Sequence, residues 1–481
     1  MNLTSSRRNF IKSSSLLLGG TLLCSAQVTG ANQQVRIAIV GMRSKGKDLL
    51  RRFLRLPNVK VASLCEVDSN ILAQVAKQFD GQIDGATLDK DYRKVIERKD
   101  IDAVVLATPN HWHALQTIWA CQAGKHVYVE KPAAHSVWEG ELMVKAARKY
   151  DRIVQVGLQT RSMTSGPEIR EWLKEGHLGE IKAIHAVFYK DRKSVGMRPT
   201  PLEVPSHIDY DLWLGPAEDL PIYRDSFHYD WHWEWNTGNG DLGNIGTHVA
   251  DIARMYLGDP KPSCKMLTFG NRFQWNDAAQ TPNMHVASFD FGGIPIILEA
   301  NNFKYDAEGR RALSYSQTRR GQVVICEGGK LVGHGQGKAF DLEGKTIKKF
   351  PGTENHQKNF IDAILSGKNS DLNSEMISGH ESCTLPVMAG AAYQAGKRTS
   401  SAELAAQAEE GSPYLVDAYN RYKAQCNRLG IDLEKEQWVS SGFMDYDHDT
   451  IKFTSGANLS AANGFMKRKK YREPYVVSEN V

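Results

Sequence analysis

Lys131 stands between an apolar run and a proline, and His248 closes a glycine-rich stretch, Gly238-Asn-Gly-Asp-Leu-Gly-Asn-Ile-Gly-Thr-His248. Both residue types suit the interconversion of an alcohol and a ketone. Moving a hydride off a carbon requires a group that takes the proton of the adjacent hydroxyl, and histidine is a natural general acid/base. A partly desolvated lysine can polarise the reacting oxygen. A place for the hydride acceptor is also visible. The run Val35–Val40 ends in Gly41-Met-Arg-Ser-Lys-Gly46, and a helix-like segment follows. Gly41 permits a tight turn, Gly46 lets helix and strand approach, and the helix N-terminus faces a pyrophosphate. The middle glycine of G-x-G-x-x-G is replaced by Arg43, which could crowd the pyrophosphate or pair with it. Glu66, twenty positions beyond Gly46, ends the next apolar run, Val59–Cys65. An acid there accepts hydrogen bonds from the adenosine ribose and repels a 2′-phosphate, which favours NAD. Arg43 and Lys45 could attract that phosphate, so NADP stays open.

The surrounding elements must hold these residues at one edge. Ile101–Ala107 is a further buried-strand run, followed by Thr108-Pro109-Asn110-His111-Trp112-His113. A helix over Ala114–Gly124, a strand over His126–Glu130, a helix over Val137–Tyr150 and a strand over Ile153–Gly157 complete the alternation. Strand–helix alternation predicts a parallel sheet with ligands at the carboxyl ends of its strands. Beyond it, Ile181–Tyr189, His285–Phe291, Ile294–Ala300 and Gln322–Glu327 read as strands of a second sheet, with Gly292-Gly293 as a hairpin signal. Lys190–Pro221 is proline-rich and reads as a loop bordering the site. His356–Ser366 and Glu375–Gly396 are amphipathic, and Ala402–Glu410 continues as helix or forms a linker.

The first residues are of another kind. Arg7-Arg8, Phe10, Lys12 and an apolar run from Leu16 to Leu23 form a twin-arginine leader over 1–31, with small residues before cleavage points at Ala26 and Ala31. The run is too short to span a bilayer. Cys24 would allow lipid anchoring, which Leu23 disfavours. A periplasmic or otherwise exported protein that uses the twin-arginine translocase is therefore expected. Outside the cytoplasm no free nicotinamide nucleotide refills an empty site, so the cofactor is expected to be tightly bound and regenerated in place.

The chain has 60 Lys+Arg and 55 Asp+Glu, for a net +5. The leader holds three of the bases and no acid, leaving about +2, with no basic block for nucleic acid. Cys65, Cys121, Cys264, Cys326, Cys383 and Cys426 lack metal-ligand spacing and read as buried thiols, with a disulfide open; no metal site is expected.

This order of motifs resembles the glucose–fructose oxidoreductase/inositol dehydrogenase (Gfo/Idh/MocA) family over residues 35–400. The matching features are the glycine turn, Glu66, Thr108-Pro109 with His113, Gly124-Lys-His-Val, Glu130-Lys131-Pro132, Gly157 with Gln159 and Arg161, and Gly238–His248. The resemblance implies an α/β protein: a Rossmann domain with a parallel sheet over 35–157, then an α/β domain over 158–400. The second domain would have an open, mainly antiparallel sheet, forming a substrate wall and often an oligomer interface. It also implies a cofactor site at Gly41, Arg43, Gly46, Glu66, Thr108, Pro109, Asn110, His113, Glu130, Lys131 and Gln159. Lys131 and His248 would be catalytic, with Arg161 and Asn244 on the substrate side. Asn244 departs from the family, where Asp is usual four residues before the histidine. A neutral partner stabilises an imidazolium less.

Trp231, Trp233 and Trp235 recur at period two, so an extended segment would present all three rings to one side, suited to the C–H faces of a sugar. Asp230, His232, Glu234, Asp251, His111 and His113 are further candidates for binding hydroxyls or transferring protons. Residues 401–481 form a C-terminal extension, and its basic, aromatic end Lys467–Val477 reads as a strap or a subunit contact. The expected activity is NAD(P)-dependent oxidation of a hydroxyl on a sugar or glycoside, in a homo-oligomer. Two alternatives are glycoside cleavage through transient oxidation and elimination, and carbohydrate binding without catalysis.

Overall fold

Strand β1 (Val35–Val40) is central to the first sheet because all but one of its residues are buried. Such runs fit a parallel sheet covered on both faces. A computed structural model describes residues 34–304 and 313–481. The leader expected over 1–31, with Arg7, Arg8 and Cys24, lies outside the described residues. Around β1 lie β2 (Val59–Cys65), β3 (Thr87–Asp89), β4 (Ala103–Leu106), β5 (His126–Glu130) and β6 (Val154–Gly157). Their order is β3-β2-β1-β4-β5-β6, all parallel. The order reverses between β1 and β4, which opens a crevice at the carboxyl ends of the strands.

Among the described residues the second sheet has twelve strands. Its middle runs β11 (Arg320–Cys326), β7 (Ile181–Tyr189), β10 (Pro295–Asn301), β9 (Met284–Asp290), β8 (Cys264–Asn271). β7 and β10 are parallel and the other pairs are antiparallel, so the sheet is mixed. β12 (Gly329–His334) extends it beside β11. The Gly292-Gly293 hairpin joins β9 to β10, both glycines having positive φ.

One face of this sheet packs on the helices Thr247–Tyr256 and Met376–Ala395 through Val249, Ile252, Leu385 and Met388. The other face is covered by the chain's own helices Ser401–Gly411 and Pro413–Arg428, through Leu404, Leu415, Tyr419 and Tyr422. Residues 401–411 are thus helix, opened by a reciprocal cap between Ser400 and Glu403. All six described cysteines are buried and free.

The C-terminal end is a strap on its own chain. Tyr471 donates to Glu139 at 2.8 Å, Arg472 to Asp211 at 2.6 Å, and Tyr475 to Asp211 at 2.8 Å. The Tyr475 ring is fully buried and meets Trp112 edge-on, with centroids 5.4 Å apart. Tyr475→Ala is expected to cost about 3 kcal/mol, the usual range for removing a large buried ring, read as a lowered urea midpoint.

Candidate active site

The crevice between the two sheets holds a cavity of about 640 Å³. Its floor is the glycine turn. Gly41 has φ +84°, and a Cβ there would lie 2.7 Å from the Ala107 carbonyl oxygen. Gly46 stands behind the turn, where a Cβ would fall 1.7 Å from the Gly41 carbonyl oxygen. Only glycine lets the helix Ser44–Leu54 come this close to the strand. Its N-terminus opens at Arg43, whose exposed side chain lines the cavity. The residues fit a dinucleotide there: a turn that begins on glycine, a helix N-terminus for phosphate, and an acid at the next strand end.

That acid is Glu66, which is buried and lines the cavity. Its carboxylate accepts from the Met42 backbone N–H at 2.7 Å and from that of Asp68 at 3.0 Å. It is thereby fixed beside the turn, with lone pairs left for a diol. Burial raises its pKa, against those hydrogen bonds. Thr108, Pro109, Asn110 and His113 line the opposite lip. Thr108 donates to Gln116 at 2.7 Å, Asn110 donates to Asn239 at 2.9 Å, and the His113 ring lies between the carbonyls of Pro132 and Thr108. These contacts use their polar groups for positioning.

Lys131 follows β5, at the carboxyl edge of the sheet. Its Nζ donates to the Asn244 backbone carbonyl at 2.6 Å and to the Asn244 side-chain oxygen at 3.2 Å. Burial pushes its pKa down to about 8; Glu130 opposes that fall, and Lys45 and Arg320 add to it. Glu130 accepts from Gln159 at 2.7 Å and lies 3.4 Å from Lys45. Asn244 sits in a π-helical turn, Leu242–Gly246, that runs into the helix carrying His248. Such turns re-aim groups at functional sites. His248 lines the same cavity, and its Nδ1 is buried with no hydrogen-bond partner. Burial, then Lys131 and Arg320, hold its pKa well below the ordinary histidine value. The imidazole is therefore neutral, able to accept a proton.

Several sequence-predicted residues lie elsewhere. Arg161 is not in the cavity wall. It is buried against Asp251 at 2.6 Å and Asp259 at 2.8 Å, which makes it an internal ion pair and removes Asp251 from the candidates as well. His111 packs toward the Trp213 carbonyl at 3.1 Å, outside the cavity wall. Glu234 is held by Arg224. The three tryptophans do not share a face, because Asp230–Trp233 is a 3₁₀ turn rather than an extended segment. At three residues per turn, positions two apart diverge by about 240°. Trp231 lines the cavity beside His232. Trp233 is buried beneath the Arg192 guanidinium, 4.8 Å from its ring centre. Trp235 lines a separate cavity of about 250 Å³.

Sequence reasoning missed Arg320 and His334, which line the cavity from β11 and β12. Trp213 and Tyr475 line it from distant segments. No spacing in the chain flags them, because each arrives through tertiary packing.

The comparisons with known proteins agree with this geometry. Residues 35–158 match the model of an oxidoreductase family, NAD-binding Rossmann fold, and residues 185–424 match its C-terminal alpha/beta domain. The chain is similar to a levoglucosan dehydrogenase of Pseudarthrobacter phenanthrenivorans, 28% identical over 42% of this chain and 44% of that protein. It is also similar to a glycosyl hydrolase family 109 protein of Shewanella sp. strain W3-18-1, 32% identical over 61% of this chain and 57% of that one. The chain thus spans about half the length of these relatives. Among solved structures, the WlbA dehydrogenase of Bordetella pertussis, in complex with NADH and UDP-GlcNAcA, shares the fold. Its TM-score is 0.52 at 18% identity, covering 73% of this chain and 94% of that one. With both domains matched, the chain belongs to the Gfo/Idh/MocA oxidoreductase family.

Proposed function

We propose that the enzyme oxidises a hydroxyl of a sugar or glycoside, or reduces the corresponding ketone, with Lys131 and His248 as its catalytic residues. The observation that carries this reading is their convergence, from separate domains, on a single cavity that the glycine turn also lines. Bound nicotinamide supplies the hydride acceptor. The Lys131 ammonium, anchored on Asn244, directs its remaining hydrogen at the reacting oxygen and stabilises negative charge there. Neutral His248 takes the hydroxyl proton. Trp231 offers an aromatic wall to the ring. Relatives named as a levoglucosan dehydrogenase and a family 109 hydrolase support a carbohydrate substrate. The latter name also favours a second reading, glycoside cleavage by oxidation, elimination, water addition and re-reduction. Net ketone with reduced nucleotide marks the first reading; a released aglycone with no net reduced nucleotide marks the second.

The reading gives a pH dependence. Ketone reduction needs Lys131 protonated to polarise the carbonyl. As pH rises through about 8 the proton leaves, and kcat/KM for keto-sugar reduction is expected to fall about tenfold per pH unit above that point. A rate that rises through this range contradicts the role.

In the same reading the protein is exported by its twin-arginine leader with NAD tightly held, NADP being the alternative. Mass spectrometry of nucleotide released on denaturing the exported protein tests this. Near-stoichiometric nucleotide is expected, and an empty protein overturns tight binding. Replacing Arg7 and Arg8 by Lys is expected to leave the protein inside the cell.

A further inference from the structure

The substrate end of the cavity is unbalanced in charge. Lys45, Lys131 and Arg320 line it together with His248 and His334. Among the described residues, Glu130 is the carboxylate next to Lys131, and it is engaged by Lys45 and Gln159. Where a further carboxylate could stand beside Lys131, the residue is the neutral Asn244. Asp241 and Asp251, on the same helical segment, are taken by Arg192 and Arg161 and do not line the cavity. Among the described residues, the Arg320 guanidinium has no ion pair and no hydrogen bond. Its neighbour Arg319 does have a partner, Asp191 at 3.0 Å. Arg320 nevertheless sits close enough to Lys131, His248 and His334 to lower the pKa of all three.

A planar guanidinium presents a fork that matches a carboxylate or phosphate in two hydrogen bonds. We infer that the substrate is an acidic sugar, whose carboxylate or phosphate group is held by Arg320 while the reacting hydroxyl lies at Lys131 and His248. The bound anion has a second effect. It offsets the cationic field that opposes proton uptake by His248, so the substrate itself restores the basicity its oxidation needs. This inference rests on the oxidoreductase reading for its chemistry, and on Arg320 for its specificity.

The test pairs hexuronides and hexose phosphates with their neutral hexosides, offered to NAD-loaded full-length protein. Nicotinamide absorbance and calorimetric binding are both recorded. One acidic class is expected to exceed its neutral partner about 30-fold in kcat/KM, in line with a charge-assisted hydrogen bond. Arg320→Gln is expected to bring that ratio near one, and Arg320→Lys to leave an intermediate ratio. NAD affinity should be unchanged in both. Arg320 opens a strand with an exposed side chain, and thermal unfolding of both variants checks that the fold is retained.

A neutral hexoside oxidised as well as its acidic partner overturns the inference and leaves the oxidoreductase reading standing. A preference that survives in Arg320→Gln overturns it too, as does a loss of NAD affinity, which would place Arg320 on the nucleotide. Arg320-dependent binding of the acidic sugar with no hydride transfer from any sugar upholds the inference and sinks the redox reading. No binding and no turnover by any acidic sugar overturns the inference.

Discussion

Lys131→Met is expected to lower kcat for sugar oxidation by about 1,000-fold or more while the protein stays folded. Met keeps most of the volume and removes the ammonium. Losing a preorganised charge at the reacting oxygen costs about 100- to 1,000-fold, and the Asn244 contact that orients the group goes with it. The stability effect has the opposite sign. A lysine ordinarily titrates near 10.4, and Lys131 near 8, so the charged form is disfavoured in the native state. At pH 7 this costs the fold about 1–3 kcal/mol, and the cost fades as pH rises from 8 to 10.4, where the unfolded chain holds the extra proton. Lys131→Met should therefore melt no lower than the parent at pH 7, and NAD affinity should stay within about threefold. A variant that keeps a tenth or more of the parent kcat removes Lys131 from the chemistry.

Gly46→Ala acts at the glycine turn. Its Cβ would lie 1.7 Å from one backbone oxygen and 2.8 Å from the carbon that bears it. Neither atom belongs to a flexible side chain, so the helix Ser44–Leu54 must move away from the Gly41 turn. The helix N-terminus then no longer faces the phosphates. NAD affinity is expected to fall at least about 100-fold, with about 3 kcal/mol lost in stability from overpacking. Calorimetric titration with NAD and a urea unfolding curve measure the two effects. Affinity within threefold of the parent would mean that the turn does not hold the nucleotide. His248→Ala should resemble Lys131→Met rather than Gly46→Ala, because it removes a proton acceptor without disturbing the cradle.

The parts of this site that could be read in the chain are those fixed locally. β1, β2 and β5 are apolar runs ended by glycine, acid and lysine, β4 runs into Ala107-Thr108, and a parallel sheet aligns those ends without further information. Gly41, Glu66 and Lys131 therefore fall at one edge once the strand order is 3-2-1-4-5-6. The parts that could not be read depend on partners far away in the chain. Arg161 looked available until Asp251 and Asp259, about ninety residues on, enclosed it. The tryptophan alternation suggested an extended segment, but Tyr229 takes φ +70° and the chain turns into a 3₁₀ coil. Arg320 and His334 reach the cavity only because β11 pairs with both β7 and β12. The strap's Tyr475 meets Trp112 across more than three hundred residues.

The central claim is that hydride passes between a sugar carbon and a nucleotide held against Lys131 and His248. Sugars and glycosides deuterated at each carbon-bound ring position, mixed with NAD-loaded protein and quenched within one turnover, test it most directly. Deuterium from one ring position should appear in the nucleotide by mass spectrometry, whether the ketone is released or re-reduced, and none should appear with Lys131→Met. A nucleotide that stays bound yet gains no deuterium from any position, although the sugar is bound or cleaved, would contradict the account.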